Sequence, residues 1–250
     1  MSAIEIRSLT KRYGDTVAVD GLSLCIEEGE LFSLLGVNGA GKTPTIKMLS
    51  CLTRPTSGEA YLLGKSITED TAAVKSVIAV SPQETAVAPG LSVYENLDLI
   101  CGVHGFSREK KAKKIKEVAY LLGLESVMKK RAGKLSGGWQ RRLSIAMALI
   151  GEPRILFLDE PTLGLDVLAR SDLWDMIRAL KGKITVILTT HYMEEAEALS
   201  DRIAIMRDGK LLTCDTSAHI KAQAGTENFE EAFIRVVRGW QNENADIRKA

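Results

Sequence analysis

The chain has 250 residues, of which 45% are hydrophobic and 26% charged, and its formal net charge is +1. That size suits one globular domain or a core with a modest insertion, and the near-neutral balance argues against a dedicated nucleic-acid binder, which carries a basic face for phosphates. No stretch approaches the ~20 apolar residues that cross a bilayer, and the opening residues lack a signal-peptide pattern, so any service to a membrane is expected through a partner.

Residues 1–30 alternate in polarity, with turn signals at Tyr13-Gly14-Asp15 and Glu28-Gly29-Glu30, and predict short strands of an antiparallel edge layer. Leu31 to Leu35 is a compact apolar run, a buried strand that meets a glycine-rich turn at once. A helix is predicted from near Lys42 to before Pro55, and a short strand over Val77 to Val80. Residues 92–132 carry two or three helical patterns with no strand between them, which predicts a helical insertion, bounded at about 84–134. Beyond it come a helix over 136–150, a strand over Ile155 to Leu158 and a helix over 167–180. Strands over Ile184 to Leu188 and Ile203 to Met206 follow. Short apolar runs separated by helices indicate an α/β fold with a largely parallel sheet. From about Asn228, the residues Phe229, Ala232, Phe233, Val236 and Val237 line one face of an amphipathic helix, with a frayed polar tail expected after Trp240. The four cysteines (Cys25, Cys51, Cys101, Cys214) are scattered and read as buried small apolar residues of a reducing compartment.

Gly36-Val37-Asn38-Gly39-Ala40-Gly41-Lys42-Thr43 matches G-x-x-x-x-G-K-[ST] between a predicted strand and a predicted helix, the context that gives the pattern meaning. Glycines let the backbone wrap a phosphate with its N–H groups pointing inward, and the helix N-terminus adds partial positive charge. The pattern assigns Lys42 to the β- and γ-phosphates of a nucleoside triphosphate and the Thr43 hydroxyl to Mg²⁺. Pro44 follows in the first helical turn, where a missing N–H costs the helix little.

Arg154-Ile155-Leu156-Phe157-Leu158-Asp159-Glu160-Pro161 is an apolar strand ending in two carboxylates. Asp159 at the tip suits Mg²⁺ held through water, and Glu160 suits activation of a water that attacks the γ-phosphate. Leu135-Ser136-Gly137-Gly138-Trp139-Gln140-Arg141-Arg142 opens an apolar-periodic helix. Ser136 can serve there as an ordinary helix cap, and the same start makes a second anion site, since exposed N–H groups converge on it.

At this point the chain resembles the ABC ATPase family, whose defining motif is L-S-G-G, over about residues 3–215. The resemblance implies a P-loop NTPase (RecA-like) α/β core with an N-terminal antiparallel β layer and an inserted helical subdomain. Residues 216–250 then form a C-terminal helix and tail. It also implies that Ser136, Gly137 and Gly138 complete the ATP site of an opposing subunit. Tyr13 fits the aromatic that stacks on adenine, and Gln83, in Ser81-Pro82-Gln83, fits the glutamine that senses Mg²⁺ and the attacking water. Leu163-Gly164-Leu165-Asp166 resembles the loop that communicates across the dimer. His191, in Thr189-Thr190-His191, fits the switch histidine at the γ-phosphate. His104 and His219 match nothing and are expected on the surface. Family members commonly carry Ser or Thr at the place of Pro44, bonded to the α-phosphate. Losing a hydrogen bond to a charged acceptor costs about 1.5–3 kcal/mol, so Pro44 either weakens ATP binding by roughly one to two orders of magnitude or is a compensated natural variant or an altered clone, two readings the sequence leaves open.

Thr190-His191-Tyr192-Met193-Glu194-Glu195-Ala196-Glu197 and Phe229-Glu230-Glu231-Ala232-Phe233 resemble the branch that serves bacterial drug, antibiotic and sodium exporters. The implied ligands are ATP and Mg²⁺. The implied partners are a second ATPase subunit, as an ATP-dependent homodimer, and an integral membrane permease, with no nucleic acid. The implied place is the cytoplasmic face of the membrane. A basic run within 108–134 reads as a solvated face or as attraction to an anionic leaflet or an acidic loop of the permease. A non-transport ABC ATPase and a catalytically weak regulatory cassette stand as alternatives.

Overall fold

The computed structural model describes residues 2–247. Along the chain, β1 (Ser2–Tyr13), β2 (Thr16–Glu27), β3 (Leu31–Leu35), α1 (Lys42–Leu49), β4 (Ser57–Leu62), β5 (Lys65–Ser66), α2 (Thr71–Lys75) and β6 (Ile78–Ser81) come first. The helices α3 (Val93–Val103), α4 (Arg108–Leu121) and α5 (Gly137–Leu149) follow. Then come β7 (Ile155–Asp159), α6 (Val167–Arg178), β8 (Thr185–Thr190), α7 (Met193–Leu199), β9 (Arg202–Arg207), β10 (Lys210–Asp215), α8 (Ser217–Ala224) and α9 (Phe229–Ile247).

The N-terminal layer is a four-stranded antiparallel sheet in the order β2-β1-β4-β5. Its first two strands form one long hairpin instead of the several short strands expected. Ile4, Ile6 and Leu9 on β1 and Val19, Leu22 and Ile26 on β2 are all buried, and register shifts absorb the breaks in strict alternation. The second sheet runs β10-β9-β3-β8-β7-β6, parallel throughout except for β10 at its edge. Its central strands β3, β7 and β8 are buried at every position, which is why they read as unbroken apolar runs. Within β7, Leu156 and Leu158 face the core shared with α3–α6, whereas Ile155 and Phe157 face the core shared with α1 and the hairpin. A third core joins Leu35, Ile203 and Ile205 to Ile220 on α8 and Phe229 and Phe233 on α9.

Several elements had no counterpart in the sequence reading: β4, β5, α2, α7, β10 and α8. All are short, and β4 and the edge strand β10 are partly exposed with no clean alternation. The helix α9 continues past Trp240 to Ile247, where a frayed tail was expected, because no proline or glycine after Gly239 interrupts its hydrogen-bond ladder. Residues 248–250 of that tail lie outside the described residues. Of the cysteines only Cys101 is buried; Cys25 is exposed on β2, Cys51 and Cys214 are half-buried, and all four are free. The basic run on α4 is partly neutralised, since Lys110 and Lys114 pair with Glu152, Lys114 also with Glu117, and Lys111 with Asp98.

Candidate active site

Parallel register sets the site. Leu35 lies opposite Thr190, Asp159 opposite Thr189, and Ser81 opposite Leu158, so the chain leaves four neighbouring strands at one level. The segments after them begin with Gly36, His191, Glu160 and Pro82. In an open parallel sheet this carboxyl end is where ligands bind.

After β3 the chain forms a tight loop in which Gly39 and Gly41 take φ of 82° and 101°, conformations open to glycine and strained for other residues. A Cβ at Gly36 would stand 2.4 Å from the Met206 carbonyl oxygen, and one at Gly41 would stand 2.6 Å from that of Ala18. The loop is thus clamped between β9 and β2. Lys42, at the first position of α1, is 5% exposed; its Nζ donates to the carbonyls of Gly36 at 2.7 Å and Val37 at 3.3 Å. Burial pulls the Lys42 ammonium below its ordinary pKa, and the charges of Glu160 and Asp159 oppose that pull. Pro44 sits in the first turn of α1, and Thr45 bonds normally to the Gly41 carbonyl through both N–H and hydroxyl. The helix accepts the proline, and one N–H is missing from the rim that faces the loop.

Opposite the loop stands the carboxylate pair. Asp159 Oδ1 accepts from Thr189 Oγ1 at 2.5 Å and from Thr43 Oγ1 at 3.3 Å. Glu160 takes φ of 48°, unusual for a side chain with a Cβ, and its N–H is held by the Thr189 carbonyl and hydroxyl. The turn aims its carboxylate back at the loop, with Oε1 3.8 Å from Lys42 Nζ and Oε2 3.2 Å from His191 Nδ1. The His191 contact is close but lacks hydrogen-bond direction, since Nδ1 has no geometric partner. Its ring packs on Tyr192 with centroids 4.2 Å apart.

Two residues outside the sequence expectations shape this site. Thr189 ties Asp159 to Glu160 from the neighbouring strand, a role visible only once the β7–β8 register is known. Arg141, 5% exposed on α5, donates to the Pro82 carbonyl at 2.6 Å and to the Gln83 carbonyl, pinning the segment after β6 by its backbone. Burial lowers the pKa of this guanidinium, with Asp159 and Glu195 opposing.

Other expected site residues are not gathered here. The Gln83 side chain is exposed and bonds neither Thr43 nor Asp159. Its neighbours are held through the backbone by Arg141, which fixes the strand exit and leaves the side chain free. Tyr13 is half exposed at the tip of the β1–β2 hairpin, with Lys11 Nζ 5.0 Å from its ring centroid. Ser136 and Gly138 line a separate surface hollow with Trp139, Arg142, Asp166 and Ala169. There Ser136 holds the N-cap position of α5, yet its side chain makes no cap bond. No residue of the loop from Gly36 to Thr43 lines that hollow.

Comparison with known proteins agrees with this architecture. The family model described as ABC transporter matches residues 19–163. The chain is 41% identical over 229 residues to the phospholipid-transporting ATPase ABCA3 of Homo sapiens, covering 90% of this chain and 13% of that protein. It is 40% identical over 225 residues to the daunorubicin/doxorubicin resistance ATP-binding protein DrrA of Streptomyces peucetius, covering 90% of this chain and 68% of that one. Among solved structures it matches a dimeric ATP-binding cassette in a post-hydrolysis state bound to ADP and Pi. The TM-score there is 0.75 at 27% identity, over 85% of this chain and 98% of that one. The chain spans well under half of the human protein's length.

Proposed function

We propose, since this chain belongs to the ABC transporter family, that it is an ATP-binding and ATP-hydrolysing subunit that energises export through a separate integral membrane permease. The observation that carries the reading is the Glu160 carboxylate, 3.8 Å from Lys42 and 3.2 Å from His191, beside a glycine-built phosphate loop. A buried ammonium held by two backbone carbonyls, with the Glu160 carboxylate 3.8 Å away, fits a polyphosphate, which would offer stronger, charged acceptors than the loop's own backbone. The Thr43 and Asp159 oxygens form the hard-oxygen set that suits Mg²⁺, with Gln83 a third candidate ligand. When bound, that ion supplies neutralisation of the phosphate charge.

In this reading Lys42 and the N–H groups of Gly39, Ala40, Gly41 and Thr43 hold the phosphates. Glu160 orients and deprotonates the water that attacks the γ-phosphate, and His191 meets the charge that develops there. Tyr13 stacks on adenine. Ser136, Gly137 and Gly138 complete the partner's site in a head-to-tail homodimer, a reading supported by a hollow at Ser136 and Gly138 that holds no residue of this chain's own loop. The dimeric cassette among the structural matches supports the same arrangement. Similarity to a drug-resistance subunit supports export of a drug, antibiotic or ion from the cytoplasmic face of the membrane. Residues 1–215 form the ATPase domain, with the helical subdomain at about 84–134 set to receive the permease.

Size-exclusion chromatography with light scattering tests this directly. The Glu160→Gln protein is expected to be monomeric alone and dimeric with millimolar Mg·ATP. A monomer under those conditions, persisting in Glu160→Gln/Pro44→Thr, overturns the shared-site reading.

A further inference from the structure

Glu195 lies in the first turn of α7, just after His191, and is 0% exposed. Its neighbours Glu194 and Glu197 face solvent, whereas Glu195 shares the buried face with Ala196 and Leu199. A carboxyl there has a desolvation cost that an apolar residue of similar size avoids. Among the described residues it forms no close ion pair. Trp174 Nε1 on α6 donates to its Oε1 at 3.2 Å, while its Oε2 has no hydrogen-bond partner.

The groups around this carboxyl come from the segments that carry the reacting residues. The hydroxyls of Thr190, at the end of β8, and Thr162, two residues beyond Glu160, lie near enough to favour its charged form. Thr162 Oγ1 is nevertheless outside hydrogen-bond geometry, as are Arg170 Nε and His191 Nδ1, all of them buried. Thr190 accepts from Tyr192 N–H through its hydroxyl and from Gly36 N–H through its carbonyl, so it links the His191 turn to the phosphate loop. Thr162 lies in the turn closed by the Leu163 N–H bond to the Glu160 carbonyl. Burial pushes the Glu195 carboxyl up, against the opposing influence of Thr190, Thr162, Trp174 and Arg170.

We propose that Glu195 is a positioning residue that registers the His191 turn against the Glu160 turn, acting on turnover through those two residues and not on nucleotide affinity. The proposal rests on the ATPase reading, and one of its tests does not. In that test, the imidazole resonances of the three histidines are titrated in the full chain without nucleotide. In Glu195→Ala the His191 titration is displaced, while those of His104 and His219 keep their wild-type midpoints. In Glu195→Gln, which keeps the shape and an acceptor for Trp174, His191 titrates near its wild-type midpoint.

Steady-state ATPase assays supply the second readout. Glu195→Ala lowers kcat by about tenfold to a hundredfold with KM for ATP within about threefold, the pattern of misplaced reacting groups. Glu195→Gln recovers kcat to within about threefold of wild type. Should Glu195→Ala fold poorly, Glu195→Met, which fills the volume, takes its place. An unshifted His191 in the Ala or Met variant overturns the proposal, as does a loss confined to KM. Absence of turnover in the wild type would count against the ATPase reading alone, because the histidine titration still decides the role of Glu195.

Discussion

The starts of α1 and α5 are both glycine-flanked helix N-termini, and the structure treats them oppositely. At α1 the cap is Gly41 with φ of 101°, and the loop before it is closed over by β2 and β9. The first helical side chain, Lys42, is buried and turned inward onto the loop carbonyls. At α5 the cap is Ser136 in an extended conformation, exposed, with a hydroxyl that makes no cap bond. Other caps in the same chain, Ser92, Ser107, Asp166 and Thr216, each accept the helix N–H expected of them. The first start is therefore a ligand cradle finished within one chain. The second is an exposed start whose cap hydroxyl makes no bond to its own helix.

The largest effect should come from the chemistry at the finished cradle. Glu160→Gln is expected to lower turnover about 10²- to 10⁴-fold while leaving ATP affinity within about twofold, measured by phosphate release and equilibrium nucleotide binding. A comparable loss of binding would mean that Glu160 serves the cradle and not the water. Ser136→Ala separates the two helix starts. With no cap bond to lose, its melting temperature should match wild type, whereas ATP-driven dimerisation should weaken about 10- to 100-fold by sedimentation analysis. A lower melting temperature with an intact dimer would break the comparison, making Ser136 an ordinary cap.

Pro44→Thr should tighten ATP binding about tenfold in a fluorescent-nucleotide titration, because it restores an N–H and a hydroxyl at the rim of α1. No change would show that the cradle is complete without them. The smallest effect is the control. Ser92→Ala removes a capping box in which Ser92 accepts from Glu95 N–H and Glu95 accepts from Ser92 N–H. Calorimetry should show a drop in melting temperature of about 2–4 °C with ATP-driven dimerisation unchanged.

The strand–loop–helix from Leu31 to Leu49 was legible because its signals are local: an apolar run, glycines where positive φ is needed, and a lysine at the helix start. The Asp159-Glu160 strand end was legible for the same reason. The hairpin was recognised as antiparallel but not as two long strands, since bulges at Ile6/Leu9 and Leu9/Lys11 hide its alternation. Thr189, Arg141 and Glu195 escaped notice because a threonine, an arginine and a glutamate carry no pattern of their own. Each gains its meaning from a neighbour on another strand or helix. Gln83 and Tyr13 were identified by resemblance alone, and the fold leaves both side chains exposed and outside the Lys42–Glu160–His191 cluster.

The sequence by itself determined the parts: a phosphate loop, a carboxylate pair, a histidine after a strand and a second glycine-flanked helix start. Each depends on backbone preferences over a few residues, which travel with the chain. The tertiary structure decided which parts meet. Parallel register brings Glu160 within 3.2 Å of His191 and 3.8 Å of Lys42, while Ser136, at the start of α5, lines a separate surface hollow with Trp139, Arg142 and Asp166. Pairing between distant strands is fixed by the burial of whole faces, and no local run of residues encodes it.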